Sequence, residues 1–263
     1  MSESLRGRID RLDAMGRLQS YELGSDSDPE FQVAADGHGG AWFPEMAPAR
    51  LGHITAAGAL FTCQLADRGA KPIGTVAVGD LAYFGATGGL VTVTLDGRSL
   101  RRISLRSPAT HVLELARAAD GTVWFTADHP VELGRLQPGA STPDEFPLGE
   151  DGGTAIGIAV STLGDVWYSR YGANKLGRRA ADGSITEQAT TGIHPNSMTS
   201  APDGSIWVCI SKSNQVARIL PDANRSITYQ DVPGNWPDHA VALADGVWIT
   251  EYYGETVVRL VTP

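Results

Sequence analysis

The stretch Ala201–Leu220, Ala-Pro-Asp-Gly-Ser-Ile-Trp-Val-Cys-Ile-Ser-Lys-Ser-Asn-Gln-Val-Ala-Arg-Ile-Leu, decides the fold because versions of it recur along the chain. A period of about forty residues made of short strand-like pieces is typical of a propeller array. One aromatic residue marks the same phase in every copy, at intervals of 41, 41, 43, 40 and 41 residues: Trp42, Tyr83, Trp124, Trp167, Trp207 and Trp248.

Each repeat predicts four short strands, here called a to d. A short apolar run predicts strand a, and an Asp-Gly turn such as Asp203-Gly204 joins it to strand b, which carries the aromatic residue. Strand c has a Gly-Arg pair, as in Leu176-Gly-Arg178, whose arginine we expect to be structural or solvated; His53 stands in that place in the first repeat. Four antiparallel strands make one propeller blade.

The ends of the chain predict how the repeats close. The last repeat supplies only strands a, b and c, so we expect residues 17–23 to add its fourth strand and cover the open edge. The prediction is an all-β, six-bladed β-propeller of four-stranded antiparallel blades, forming a single domain over residues 1–263. Residues 7–12 also resemble a strand c and are either an overhang or the remnant of a seventh blade, which leaves seven blades as the alternative.

Composition narrows the range of partners. The net charge of -9 and the pI near 5.1 argue against a nucleic-acid partner, because phosphate binding requires a basic patch. No apolar run approaches the roughly 20 residues that span a bilayer, so we expect no membrane segment. The N-terminus has no apolar run of signal-peptide length, and Cys63 and Cys209 lie in different repeats. We therefore expect a cytoplasmic monomer.

The topology predicts where ligands bind. The starts of the a strands and the ends of the b strands share one face, where propellers bind ligands. His239, just inside the last strand a, is the strongest candidate for a general base, although a structural imidazole at the rim is the alternative. His194 and Asp238 are the other predicted catalytic residues. The predicted substrate-binding residues are Asn196, Glu30, Arg170, Tyr252 and Glu251.

Three of these residues also predict a metal site. The side chains of Asp238, His239 and Asn196 offer carboxylate, imidazole and amide donors. Such donors can hold a divalent cation such as Mg2+ with positions left open for substrate.

The repeat resembles that of the virginiamycin B lyases over almost the whole chain. The similarity is carried by Trp124-Phe-Thr126, Asn174-Lys-Leu-Gly-Arg178 and Asp182-Gly-Ser-Ile-Thr-Glu187. The resemblance implies a Mg2+-assisted β-elimination that linearises a cyclic depsipeptide antibiotic at its ester, and hence a role in antibiotic resistance.

The resemblance also suggests which residues act. The family has a Pro-His pair opening strand a of the penultimate blade and a Glu-Pro-His triplet opening that of the last. Here the pair becomes Pro195-Asn196, with His194 close by. The triplet corresponds to Pro237-Asp238-His239, which implies that His239 is the base and that Asp238 substitutes for the glutamate.

A second resemblance, to gluconolactonase-type propellers, is carried by Pro29-Glu30, Pro195-Asn196 and Pro237-Asp238. It implies hydrolysis of a lactone or ester by a metal-bound water. Three functions are therefore open: a metal-dependent lyase acting on a cyclic peptide or another small natural product, a hydrolase, and a propeller that binds a ligand without chemistry.

Overall fold

The structure is a computed structural model that describes residues 2–3, 7–13, 15–24, 26–29, 32–149, 153–253 and 256–261. The predicted all-β, six-bladed propeller architecture is confirmed. Blades are numbered here by their aromatic residue, from Trp42 in the first to Trp248 in the sixth. The only helical element among the described residues is a 3-10 turn at Ser211–Ser213. None of the described helical segments is long and apolar enough to cross a membrane.

The chain forms two compact units, residues 1–115 with 139–144, and residues 116–138 with 145–263. The first unit begins with a three-stranded sheet and continues with the first two blades. The strands of the N-terminal sheet are β1 (Ser2–Glu3), β2 (Arg8–Leu12) and β3 (Leu18–Glu22). The first blade contains β4 (Asp28–Pro29), β5 (Ala34–Ala35), β6 (Ala41–Ala47), β7 (Arg50–Ile54) and β8 (Leu60–Gln64). The second blade contains β9 (Thr75–Val78), β10 (Leu81–Ala86), β11 (Gly89–Thr94) and β12 (Leu100–Ser104).

The remaining strands follow the same order along the chain. The third blade contains β13 (His111–Arg117), β14 (Val123–Asp128), β15 (Glu132–Leu136) and β16 (Asp144–Pro147). The fourth contains β17 (Ala155–Val160), β18 (Val166–Arg170), β19 (Lys175–Arg179) and β20 (Ile185–Ala189). The fifth contains β21 (Pro195–Ser200), β22 (Ile206–Ile210), β23 (Gln215–Ile219) and β24 (Ile227–Asp231). The sixth contains β25 (Pro237–Leu243), β26 (Gly246–Glu251) and β27 (Val257–Leu260).

The predicted closing strand was wrong. β3 pairs with β2, from Arg8 opposite Glu22 to Leu12 opposite Leu18, and the sixth blade has three described strands. A turn held by Asp13 joins β2 to β3, because its carboxylate accepts from the main-chain N–H groups of Met15 and Arg17. This hairpin closes a short loop, which costs less chain entropy than pairing with the distant end of the chain. Residues 7–12, which resemble a strand c, thus pair with the segment that was predicted to complete the sixth blade.

The aromatic residue of strand b packs against the arginine of strand c. In the fifth blade, Trp207 pairs in register with Arg218, whose guanidinium carbon lies 5.3 Å from the ring centroid. Arg218 also forms a salt bridge with Asp203 of the Asp-Gly turn. The expected structural role of this arginine is therefore confirmed here, and the same register joins Trp248 to Arg259 in the sixth blade.

His53 fills the arginine position of the first blade. Its ring stacks on Trp42 with centroids 4.1 Å apart, and its Nε2 lies 2.8 Å from Asp36 Oδ2. Burial opposes ionisation of Asp36, but hydrogen bonds from His53 and from the main-chain N–H groups of His38 and Gly40 outweigh it and hold the pKa of Asp36 below its ordinary value. The expectation of a structural histidine at this position is confirmed.

The glycine of strand c leaves room for the residue after the tryptophan. A β-carbon on Gly134 would lie 1.8 Å from Phe125 Cζ, and one on Gly177 would lie 2.0 Å from Tyr168 Cζ. Such distances are far inside van der Waals contact, so only glycine fits beneath these rings. The Trp-Phe and Gly-Arg pieces of the repeat are therefore two halves of one packing unit.

Candidate functional site

The first strand begins in the same way in the fifth and sixth blades. Pro195 pairs with Ile210 and Pro237 pairs with Glu251, and in both strands the register shifts directly after the proline. Such irregularities turn a side chain out of the regular alternation of a strand and are frequent next to active sites. Asn196 and Asp238 therefore occupy equivalent positions of neighbouring blades.

A chain of hydrogen bonds joins three of the predicted residues. Asn196 Nδ2 donates to Asp238 Oδ1 at 2.7 Å, and His239 Nδ1 lies 3.1 Å from Asp238 Oδ2. Asn196 is buried, whereas the side chains of Asp238 and His239 keep 15% and 16% of their exposure. The structure thus brings together the three residues that were predicted to bind metal, with Asp238 at the centre.

The two nitrogens of His239 have different surroundings. Nδ1 faces Asp238, and Nε2 is covered by protein atoms. A carboxylate at Nδ1 orients an imidazole and stabilises the imidazolium that forms when the ring takes a proton. Use of Nε2 as a base requires that ligand binding uncovers it.

His194 lies next to this cluster, one residue before Pro195. Its ring stacks on Tyr171 with centroids 4.3 Å apart, and its Nδ1 is buried. Burial, reinforced by the charge of Lys212, lowers the pKa of His194 below its ordinary value. The ring is therefore neutral near pH 7, which is the form a general base requires.

A row of aromatic rings extends from His194 past the start of the sixth blade. His194 meets Trp236 edge to face at 6.0 Å, Trp236 meets Tyr253 at 5.6 Å, and Tyr253 meets Tyr252 at 4.9 Å. Tyr171, His194, Trp236, Tyr253 and Tyr252 are called the aromatic ladder below. Burial raises the pKa of Tyr171, and the charges of Asp238 and Tyr253 raise it further, so the ladder is electrostatically coupled to the polar cluster.

Sequence reasoning named His194 and Tyr252 but missed the other three rings. A signal was present for Trp236, because it precedes Pro237 as His194 precedes Pro195. A comparable signal existed for Tyr171, which directly follows the last residue of strand b, as Tyr252 does.

Two of the predicted substrate-binding residues are buried at the ends of their b strands. Arg170 has no exposed side-chain surface; it donates to the carbonyl oxygens of Leu148 and Gly149 and lies 3.4 Å from Glu187. Ligand contact by Arg170 would require breaking these bonds.

Glu251 is also buried. It accepts a hydrogen bond from Thr256 Oγ1, and a β-carbon on Gly234 would overlap its carboxylate. Tyr252, the next residue, is 58% exposed and reaches solvent. Glu30 lies outside the described residues.

The polar cluster offers few ligands to a divalent cation. Within the described part of the chain, no three His, Cys, Asp or Glu side chains converge in a metal-binding arrangement. Asp238 and the amide oxygen of Asn196 fit a cation that takes most of its ligands from water and substrate, which is the usual binding mode of Mg2+.

These features define a class: a β-propeller with a polar cluster and a row of aromatic rings at its blade openings. The chain belongs to the virginiamycin B lyase family, whose sequence profile matches residues 98–263. A virginiamycin B lyase of Nocardia farcinica (strain IFM 10152) is 30% identical over 171 residues, which is 65% of this chain and 57% of that protein. The matched part therefore spans less than two thirds of that relative.

Solved structures agree on the fold. The selenomethionine-substituted virginiamycin B lyase of Staphylococcus aureus superimposes with a TM-score of 0.90 at 20% identity, covering 100% of this chain and 90% of the other. A catalytically inactive histidine-to-alanine variant of the S. aureus enzyme, crystallised with quinupristin, gives a TM-score of 0.85 at 20% identity, with 94% and 85% covered.

The equivalence of the two prolines changes the match to the family pattern. When the Glu-Pro-His triplet is aligned on its proline, as Pro195 and Pro237 align within this chain, it falls on Trp236-Pro237-Asp238. Trp236 then stands at the glutamate and Asp238 at the histidine. His239 lies one position later, at the place that Ser197 holds in the fifth blade.

Proposed function

We propose that this protein is a carbon–oxygen lyase that opens an ester bond of a cyclic peptide or related natural product by elimination. The observation that carries the proposal is the hydrogen-bonded chain Asn196–Asp238–His239, placed beside His194 in a member of the virginiamycin B lyase family. The quinupristin complex of the structural relative supports a ligand of that kind. A role in antibiotic resistance stays a prediction.

In the proposed reaction an imidazole removes a proton from the carbon that lies between a carbonyl group and the β-carbon bearing the ester oxygen. His239 is the base predicted from the sequence, and its contact with Asp238, rather than the match to the family pattern, supports this role. The electrons of the broken C–H bond form a carbon–carbon double bond, and the C–O bond at the β-carbon breaks, so that a carboxylate leaves. Asp238 holds His239 through Nδ1 and stabilises the imidazolium. Asn196 fixes the other oxygen of Asp238 and keeps that carboxylate oriented. No water is consumed.

Mg2+ is part of the proposal, with Asp238 and the amide oxygen of Asn196 as its candidate ligands. His239, the third ligand predicted from the sequence, is left out because its Nδ1 faces Asp238 and its Nε2 is the proposed base. When bound, such a cation would polarise the ester carbonyl and stabilise the carboxylate that leaves. Removal of divalent cations with a chelator, followed by restoration with Mg2+, tests this part separately. The cytoplasmic location and the monomeric state stay predictions.

The test is the mass of the product. A streptogramin B-type cyclic depsipeptide is incubated with the protein and Mg2+, and the products are followed by liquid chromatography and mass spectrometry. We expect a linear product of unchanged mass that carries a new double bond. A product heavier by one water would contradict elimination and indicate the gluconolactonase-like hydrolase. Binding without any product would indicate the non-catalytic propeller.

A further inference from the structure

The loops between strands b and c share one main-chain contact in the first five blades. The residue directly before strand c accepts, through its carbonyl oxygen, a hydrogen bond from the first residue after strand d of the same blade. The accepting residues are Ala49, Gly88, Val131, Asn174 and Asn214. Because four residue types make the same contact, it depends on the main chain alone and requires no particular side chain.

The last two of these residues use their side chains as well. Asn174 Oδ1 accepts from the main-chain N–H of His194, and Asn214 Oδ1 accepts from that of Trp236, both at 2.8 Å. Each bond reaches into the next blade, to the residue directly before the proline that begins strand a. The other three loop residues have no side chain that can accept a hydrogen bond. The asparagines therefore stand before the two blades that carry the polar cluster.

The backbone of the contacted residues is unusual where an asparagine is present. His194 and Trp236 have φ values of 61° and 67°, in the left-handed region that bulky residues avoid. Thr154 holds the equivalent position before the fourth blade, because its carbonyl oxygen accepts the same main-chain bond from the end of strand b. It follows the loop that carries Val131, and its φ lies outside the left-handed region. A side-chain acceptor in the loop thus accompanies a strained residue at the start of the next blade.

The strained residue controls the direction of the polar cluster. Trp236 lies two residues before Asp238, and the φ of the intervening Pro237 is fixed by its ring, so a change at Trp236 is passed on to Asp238. The 2.7 Å bond from Asn196 Nδ2 to Asp238 Oδ1 lengthens or breaks if either strand start turns. The contact between the two blades therefore depends on how each strand begins.

We infer that Asn174 and Asn214 are positioning residues, which hold the starts of the fifth and sixth blades so that Asn196 and Asp238 meet. Both act through the main chain of the next blade, and Asp238 in turn orients His239. The effect on turnover rests on the proposed function, whereas the bond between the two blades can be followed in the protein without any substrate.

Two substitutions separate the side chain of Asn214 from its backbone. Asn214 has a φ of 52°, which glycine adopts freely and aspartate tolerates. Asn214→Gly therefore keeps the backbone and removes the acceptor, whereas Asn214→Asp keeps an acceptor oxygen in the same place. Asn224→Gly is the matched control, because Asn224 is exposed in the loop between strands c and d of the same blade.

The side-chain amide of Asn196 reports on the contact without turnover. Its Nδ2 donates to Asp238, so in 15N–1H NMR spectra its protons should show a hydrogen-bond shift. We expect Asn214→Gly to lose this shift, and Asn214→Asp and Asn224→Gly to keep it. An unchanged Asn196 signal in Asn214→Gly, or a shift lost equally in Asn214→Asp, would overturn the inference.

Turnover of the depsipeptide is the second measurement. Loss of an interaction that acts only in the transition state lowers kcat and leaves KM unchanged. We expect Asn214→Gly to lower kcat by about 10- to 100-fold, a loss that a misplacement of about 1 Å can cause, and Asn214→Asp to restore most of it.

An asparagine that only supports the fold would give a different result. Asn214→Gly would then have a lower Tm but the same kcat as Asn224→Gly, and this outcome would overturn the inference. Loss of the Asn196 shift in a protein that turns over no depsipeptide would uphold the positioning role while the lyase proposal failed.

Discussion

The two ends of each b strand in this protein follow different rules. Near the Asp-Gly turn, strand b carries an aromatic residue that packs on the arginine of strand c, as Trp207 packs on Arg218. At the other end, near the openings of the a strands, the equivalent positions differ from blade to blade, as Arg170 and Glu251 do. The repeated end of strand b therefore packs the blade, whereas side chains at the variable end can take part in ligand binding or catalysis.

A change of residue type has different consequences at the two ends. His53 replaces an arginine, yet it still stacks on Trp42 and still contacts the turn carboxylate of Asp36. Its packing role is kept because its partners are kept. Asn196 and Asp238 share one backbone position but bond to each other, so their side chains form a new group that the repeat does not contain.

The largest expected effect is at the variable end. His239→Gln removes the predicted base while keeping a polar side chain of similar size, and we expect kcat to fall by about 10²- to 10⁴-fold, the usual contribution of a general base. Steady-state kinetics with the depsipeptide would measure the fall, with thermal melting as a check on the fold. His38→Gln, at an exposed position in a turn, should leave kcat unchanged.

The opposite pattern would reverse the assignment. If His239→Gln retained full activity and His194→Gln were inactive, the base would be His194, and His239 would serve only to position Asp238.

A smaller effect is expected at the repeated end. Gly134→Ala places a β-carbon against the ring of Phe125, and overpacking of this kind costs about 1–3 kcal/mol of the free energy of unfolding. Thermal melting should then show a clear drop in Tm. Gly172→Ala is the matched control, because its nearest neighbour would be 3.8 Å away. An unchanged Tm for Gly134→Ala would show that the packing unit is looser than the contacts indicate.

The smallest effect concerns the protonation of His194. Its pKa is lowered in the folded chain, so the unfolded chain binds more protons below the ordinary value of about 6.5. Its contribution to stability is therefore complete above that pH and declines as the pH falls toward the folded pKa. Lys212→Gln removes one cause of the shift, so we expect the pKa of His194 to rise and this decline to shrink.

An NMR titration of the His194 Cε1 proton would measure the change. Lys71→Gln, in the other compact unit, is the control and should leave the titration as it is in the unsubstituted protein. A His194 midpoint at its ordinary value in the unsubstituted protein would contradict the burial argument.

The sequence by itself determined the architecture. The spacing of the aromatic residues, the Asp-Gly turns and the Gly-Arg pairs indicated six blades, because each feature recurs at a fixed phase and reflects local backbone and packing requirements. It also named Asn196, Asp238 and His239 as one group, since residues that open neighbouring a strands approach each other in a propeller.

Only the tertiary structure decided the details that depend on partners distant in the chain. β2 and β27 both resemble a strand c, so either could have paired with β3, and the structure shows that β2 does. Burial of Glu251 depended on Gly234, and the ladder depended on rings from three blades meeting side by side. A repeat fixes where each backbone position lies, but the contacts of a side chain follow from the neighbours that folding places around it.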